Sequence, residues 1–327
     1  MVGAYHIIVQ NANVKYEFDI NRNITILKGD SATGKTVLID MIREYALNGE
    51  DSGITVSSKI PCRVIDGNTW KEQLRNITES IVFIDEGNRF VISEDFAKEV
   101  QVGKNYYVIV TRESLANLPY SVTEIYGIHS SGKYESFEPV YHEMYRIYDK
   151  EIKDYETTPI KPDCIVVEDS NSGFEFFIEV VKENDNIKCI SAMGKSNVFK
   201  VIQEMNYQSI LIVADGAAFG AEMGKIYEYM CQNSGVHLYL PESFEWIILK
   251  SGIINATNIR DVLEHTENYV ESEQNVSWER FYTNFLMQET KDTYLQYSKK
   301  KLNDSYKQDS IKTKILNVMQ GIDIQNQ

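Results

Sequence analysis

"ITILKGDSATGKTVLIDMI", residues Ile24–Ile42, joins a short β-branched apolar run to a glycine-bounded loop and then to a helix-like pattern. Within it, Gly29-Asp30-Ser31-Ala32-Thr33-Gly34-Lys35-Thr36 fits G-x-x-x-x-G-K-[ST] without a mismatch. Glycines let backbone N–H groups turn onto phosphate oxygens, and a helix N-terminus adds its positive end. The spacing gives Lys35 the reach to the β- and γ-phosphates and assigns the Thr36 hydroxyl to Mg²⁺. Chance yields this octet in roughly one chain in a hundred of this length. A ligand-free glycine turn is the competing reading, and the strand–loop–helix order disfavours it.

The next apolar run, "SIVFIDEGNRF" (Ser80–Phe90), ends in Asp85 and Glu86. Asp85 is the candidate to hold Mg²⁺ and Glu86 to polarise the attacking water. A surface acid pair at a strand end is the bland alternative, and the preceding loop outweighs it. "VIVTRE" (Val108–Glu113) then puts Thr111 and Arg112 after another strand, where a polar group could sense the γ-phosphate. "HIIVQN", "VKYEFDI", "CRVID" and "EIYGI" complete a series of strand-like runs, several of them separated by helical or irregular segments. The alternation implies an α/β domain with a parallel sheet covered on both faces, over residues 1–150.

Composition sets outer bounds. The 327 residues are 43% hydrophobic and 25% charged, which is ordinary for globular chains and long enough for two domains. A net charge of −15 argues against a broad basic surface for nucleic acid, though not against a local groove. Cys62, Cys164, Cys189 and Cys231 are scattered without metal-ligand spacing and read as reduced thiols. With no apolar run of membrane length and no signal-like N-terminus, a cytoplasmic protein without membrane association is expected. The five histidines form no cluster, and His6 and His237 lie in strand-like runs. Tyr141, Tyr145 and Tyr148 have helical spacing and read as a packing stripe.

"DKEIKDYETTPIKPD" (Asp149–Asp163) interrupts the pattern, and residues 151–162 are expected to be a linker. A second α/β domain follows over 163–265, and a helical C-terminal segment over 266–327 with Phe281, Phe285 and Leu286 at helical spacing. In the second domain, "IVVEDSNSGFEFF" puts Glu168 at a strand end. "CISAMGKSNVFKVI" puts Gly194 and Lys195 in the next turn, and "ILIVADGAAFG" puts Asp215 after a third strand. In a parallel sheet these strand ends share one edge. Carboxylates converging there can hold a divalent ion that activates water or stabilises phosphoryl charge.

On these motifs, the first 130 or so residues resemble P-loop ATPases of the AAA-like and ABC-like group, which carry an added strand between the two nucleotide motifs. The resemblance implies ATP and Mg²⁺ as ligands. The LSGGQ-like signature of ABC enzymes is absent, and "HSSGK" at 129–133 does not supply it. Residues 163–250 or so resemble the Toprim domain of topoisomerases, primases and OLD-family nucleases. "LYLPESFEWIILKSG" (Leu238–Gly252) resembles the acidic segment that follows it in OLD-like proteins, with Glu245 as the matching acid. The resemblance implies Mg²⁺ or Mn²⁺ at Glu168, Asp215 and Glu245, catalysis by Glu168 and Asp215, a DNA or RNA substrate, and a homo-oligomer or protein partner. Three departures stand out. Asp169 replaces a glycine, Ser172 or Gly173 replaces a second acid, and Asp215-Gly216-Ala217 lacks the second Asp of Asp-x-Asp. Asp169, Glu222 and Glu245 are the acids available to compensate. The expectation is an ATPase that regulates a metal-dependent nuclease, with defence against foreign DNA as the role the resemblance implies. The alternative is a non-nucleolytic ATP-dependent sensor or scaffold with a degenerate Toprim-like module. A primase or topoisomerase relative is disfavoured by the missing zinc-binding cysteines and the lack of an active-site tyrosine context.

Overall fold

The computed structural model describes residues 1–29, 33–130, 140–148 and 159–324. Contacts divide the chain into two units, one of residues 1–148 with 267–277 and one of 149–266 with 278–327.

The first unit is built on nine strands: β1 (Tyr5–Gln10), β2 (Val14–Ile20), β3 (Ile24–Leu27), β4 (Thr55–Ser57), β5 (Cys62–Val64), β6 (Ile81–Ile84), β7 (Tyr106–Val110), β8 (Ile125–Ser130) and β9 (Val140–Arg146). Their order is β4-β1-β2-β9-β8-β3-β7-β6-β5. The run β8-β3-β7-β6-β5 is parallel, and β1 pairs antiparallel with both β2 and β4, as does β8 with β9. The sheet is therefore mixed, not wholly parallel as the strand–helix alternation suggested. A short polar turn joins β1 to β2 with no room for a crossover helix, so that pair can only be antiparallel. Tyr141 and Tyr145 lie exposed on strand β9, so their spacing is that of one strand face and not of a helix.

Strands β3, β6 and β7 are buried along their whole lengths, as parallel strands covered on both faces must be. Helix α1 (Lys35–Asn48) turns Leu38, Ile39, Met41 and Ile42 into a core shared with Phe18, Leu27, Phe83 and Val108. Helices α2 (Trp70–Arg75) and α3 (Glu94–Val102) follow, and Ser93 caps α3 by accepting the Phe96 N–H at 3.1 Å. Residues 267–277 join this unit through backbone bonds from Gly3 N–H to Glu267 O at 2.7 Å and from Ser272 N–H to Met1 O at 2.9 Å.

The second unit has a four-stranded parallel sheet of β10 (Cys164–Val167), β11 (Lys188–Ser191), β12 (Ile210–Val213) and β13 (Val236–Tyr239), ordered β11-β10-β12-β13. Between and after these strands come α4 (Ser172–Val181), α5 (Lys195–Gln203), α6 (Gly220–Gln232), α7 (Phe244–Lys250) and α8 (Ile259–Glu264).

The C-terminal segment is not a tail. Its α9 (Trp278–Glu289) and α10 (Asp309–Leu316) belong to the second unit's core. Tyr282, Leu286, Tyr306 and Ile315 are fully buried against Phe176, Ile247 and Leu211. Pro159–Pro162 of the expected linker likewise belong to this unit, with Ile160 bridged to Ile322; residues 151–158 lie outside the described residues. The polar, tyrosine-rich composition hid this, because the buried tyrosines satisfy their hydroxyls internally. Tyr306 donates to Leu295 O at 2.7 Å, and Tyr282 shares a 2.6 Å bond with Thr266.

This arrangement predicts that Leu286→Ala and Ile315→Ala each cost about 2–5 kcal/mol of second-unit stability. A peripheral helix would lose no more than about 0.5 kcal/mol. Urea unfolding followed by far-UV circular dichroism measures the difference.

Candidate functional site

Two constellations stand at strand ends, one in each unit. In the first unit the strand order sets the geometry. β7 lies between β3 and β6, and all three run parallel, so the glycine loop, Thr111 and the Asp85–Glu86 pair emerge on one edge of the sheet. Gly29 and Gly34 adopt φ of +125° and +91°, a region that favours glycine. Gly34 is also crowded. A Cβ there would lie 2.7 Å from the Tyr16 hydroxyl and 2.9 Å from His142 Cε1. Tyr16 donates to Gly34 O at 2.8 Å, and the His142 ring stacks on Tyr16 at 4.6 Å. Sequence reading missed this two-ring buttress, because its members lie on β2 and β9, far from the loop in sequence.

Lys35 is buried, and its Nζ donates to Gly29 O at 3.1 Å and to Thr33 Oγ1 at 2.6 Å. Thr36 is exposed in the first turn of α1, a turn without an acidic residue. Asp30, Ser31 and Ala32 lie outside the described residues. An ammonium, hydroxyls and an uncompensated helix N-terminus form a donor set suited to phosphate oxygens. Asp85 is half-buried, and its Oδ1 accepts the Glu86 N–H at 2.8 Å. Glu86 is exposed and pairs with Arg112 at 2.7 Å, so Arg112 faces the acid pair. Thr111 Oγ1 accepts the Glu113 N–H at 3.0 Å.

In the second unit, β10 pairs in register with β11 and β12, matching Val167 with Ser191 and with Val213. That register brings Glu168, Gly194 and Asp215 to one edge. Glu168 Oε2 accepts the Asp215 N–H at 3.0 Å, and Gly194 N–H donates to Glu168 O at 2.7 Å. Lys195 donates to Ala218 O at 2.9 Å. Asp215 Oδ1 accepts the Phe244 N–H at 3.1 Å, at the start of α7. Ser243 caps α7 and sets Glu245, which is fully buried, in its first turn. Asp169 Oδ1 accepts the Phe174 N–H at 3.0 Å, which explains an acid in place of glycine: it ties down the start of α4. Glu222 is buried in the first turn of α6. Ala217, where the second Asp of the motif would stand, is buried and donates to Glu242 O at 3.2 Å.

The C-terminal segment completes this site with three residues that sequence reading missed. The Lys299 ammonium lies 2.5 Å from Glu279 Oε1 and 3.9 Å from Asp215 Oδ2. Tyr297 donates to Glu245 Oε1 at 2.9 Å and shares a 2.5 Å bond with Ser172. Glu245 Oε2 is buried without a hydrogen-bond partner. The only outward signal was "YSKKKLNDSY" (Tyr297–Tyr306), a basic triplet in an acidic chain, with nothing to show which lysine turns inward.

Burial governs the electrostatics, and the crowding of acids adds to it. Burial is the largest cause raising the Glu168 carboxyl to about 7; the Asp215 N–H opposes it and the Glu279 charge adds to it. Burial, then Glu279 and Glu168, push Asp215 well above the usual carboxylate range against the pull of Lys299. Burial alone would lower Lys299, but Asp215, Glu245 and Glu279 outweigh it and hold the ammonium above its ordinary value.

The donor set does not fit a divalent ion as folded. Among the described residues, no group of three or more His, Cys, Asp or Glu side chains is arranged to hold one. Glu168 and Asp215 each commit an oxygen to a backbone N–H, and a lysine stands beside Asp215. No helix among the described residues is long and apolar enough to cross a membrane. No protein-family model matches the sequence, and no curated protein matches it.

Proposed function

We propose that this protein is an ATP-dependent sensor or scaffold. The first unit binds ATP with Mg²⁺, hydrolyses it, and thereby sets the state of a Toprim-like second unit that engages a partner. One observation carries the reading. The parallel order β3-β7-β6 supports a glycine loop with a buried lysine and an Asp–Glu pair on the same sheet edge. Thr36 and Asp85 would hold the Mg²⁺, which would offset phosphate charge. Lys35 would bind the β- and γ-phosphates, and Glu86, oriented by Arg112, would polarise water. The engaged carboxylates and the lysine beside Asp215 favour a binding module over a nuclease in the second unit.

The second reading is an ATP-regulated, Mg²⁺- or Mn²⁺-dependent nuclease acting on DNA or RNA. The partnerless, buried Glu245 Oε2 favours it, since such an atom is stabilised by a bound cation.

Two substitutions test the ATPase. Lys35→Ala removes charge-assisted bonds worth about 1.5–3 kcal/mol, so ATP affinity by calorimetry should fall roughly 10- to 150-fold. Unchanged affinity would refute the cradle. Glu86→Gln should keep ATP affinity within a few-fold and lower the hydrolysis rate by about 10²–10⁴ in a phosphate-release assay. A wild-type rate would remove Glu86 from the mechanism. For the second unit, incubation with ATP, Mn²⁺ and single- or double-stranded DNA or RNA should leave the nucleic acid intact. Cleavage that Asp215→Asn abolishes would install the nuclease reading instead.

A further inference from the structure

Both glycines of the nucleotide loop have a carbonyl tied to a side chain. Lys35 Nζ donates to Gly29 O at 3.1 Å, and the Tyr16 hydroxyl donates to Gly34 O at 2.8 Å. Gly34 O also accepts the Leu38 N–H at 3.0 Å, the first backbone bond of α1. Its two acceptor positions are thus filled, one from the helix and one from β2. A trans peptide is planar, so holding the Gly34 carbonyl turns the Lys35 N–H to the opposite side. That N–H belongs to the first turn of α1, where a helix leaves its donors for acceptors outside it. Gly34 needs the second anchor, because it sits at φ +91° and glycine has the most backbone freedom to lose. Sheet register places the hydroxyl. Tyr16 is fully buried on β2, and its parallel partner on β9 is His142. Their rings stack with 13° between the planes. His142 Nδ1 is buried and makes no hydrogen bond, so the ring holds Tyr16 by stacking.

We propose that Tyr16 is a positioning residue for the nucleotide loop: its hydroxyl fixes the Gly34–Lys35 peptide so that the Lys35 N–H faces the phosphates before they arrive, and His142 keeps the Tyr16 ring in place. The inference rests on the ATP-binding reading and adds to it two residues outside the glycine motif. Without the hydroxyl, Gly34 O keeps its bond from Leu38, so the helix start still forms. The peptide then samples other orientations, and the affinity falls by the fraction of chains that hold the competent one. The net worth of one neutral hydrogen bond limits that fall to roughly 2- to 12-fold.

The test joins calorimetry of ATP with Mg²⁺ to amide hydrogen exchange without nucleotide, both on the full chain where circular dichroism shows it folded. Tyr16→Phe keeps the ring and removes one oxygen. It should weaken ATP by roughly 2- to 12-fold and speed exchange of the Leu38 N–H in the nucleotide-free chain. His142→Ala should weaken ATP as well. Tyr16→Phe combined with His142→Ala should be no weaker than Tyr16→Phe alone, because the stack acts through the hydroxyl. ATP affinity unchanged in Tyr16→Phe would overturn the proposal, and a lower melting temperature beside it would mark a purely structural tyrosine. Weaker ATP binding with Leu38 exchange unchanged would also overturn it, since the hydroxyl would then act on the nucleotide and not on the loop. If Tyr16→Phe does not fold, His142→Ala decides: weaker ATP with faster Leu38 exchange supports the proposal, and wild-type values for either overturn it. A wild type that binds no ATP fails the ATP-binding reading and this inference with it, whereas the variant outcomes fail this inference alone.

Discussion

Two carboxylates delivered to one sheet edge by parallel pairing set the terms for the whole second unit. The register of β10 with β12 fixes Glu168 beside the turn that carries Asp215, close enough for Glu168 to accept the Asp215 N–H. Burial disfavours the charged form of both, the Glu279 charge adds to it, and both groups are driven toward their neutral forms. A cation about 4 Å away recovers roughly 4 kcal/mol at an effective dielectric of about 20. That compensation comes from Lys299, more than eighty residues downstream. The return of the C-terminal segment over the sheet edge is therefore an electrostatic requirement as well as a hydrophobic one.

The same logic applies to the positions around these carboxylates. Ala217, two residues after Asp215, is buried and its N–H donates to Glu242 O, so a carboxylate there would be a buried charge. Asp169 turns its carboxylate onto the backbone at the start of α4. Both positions hold chain rather than a second charge at the edge. Glu279, from outside the motif, stands on the other side of the ammonium. The ammonium thus stands between an acid of the β12 turn and an acid of α9.

Legibility from sequence followed the range of the interaction. The glycine loop, the strand bearing Asp85 and Glu86, and the β10, β11 and β12 strand ends were readable because each is a local pattern of strand, turn and helix. The mixed sheet was not, because the antiparallel β8–β9 pairing that brings in Tyr141 and Tyr145 is decided by partners, while the spacing of those tyrosines suits a helix and a strand face equally. The Tyr16–His142 buttress under Gly34 and the Lys299–Glu279 pair were invisible for the same reason. Each joins residues tens to more than a hundred positions apart, or depends on which of three adjacent lysines turns inward. The tyrosines of the C-terminal segment misled in a different way. Their hydroxyls raise the apparent polarity of a stretch whose rings are core.

Chain connectivity adds a constraint that neither unit shows alone. Residues 267–277 belong to the first unit, while α8 before them and α9 after them belong to the second. The chain thus passes between the units at 148–149, 266–267 and 277–278. Glu279, the acid closest to the Lys299 ammonium, lies two residues beyond the last of these points. Asn23, at the entry to β3, donates to Asn275 O at 3.1 Å, so the strand that leads into the glycine loop is bonded to the segment that leads into α9. Only three residues, 276 to 278, separate Asn275 from Glu279 along the chain, so the segment held in the first unit and the acid of the second are adjoining stretches of backbone.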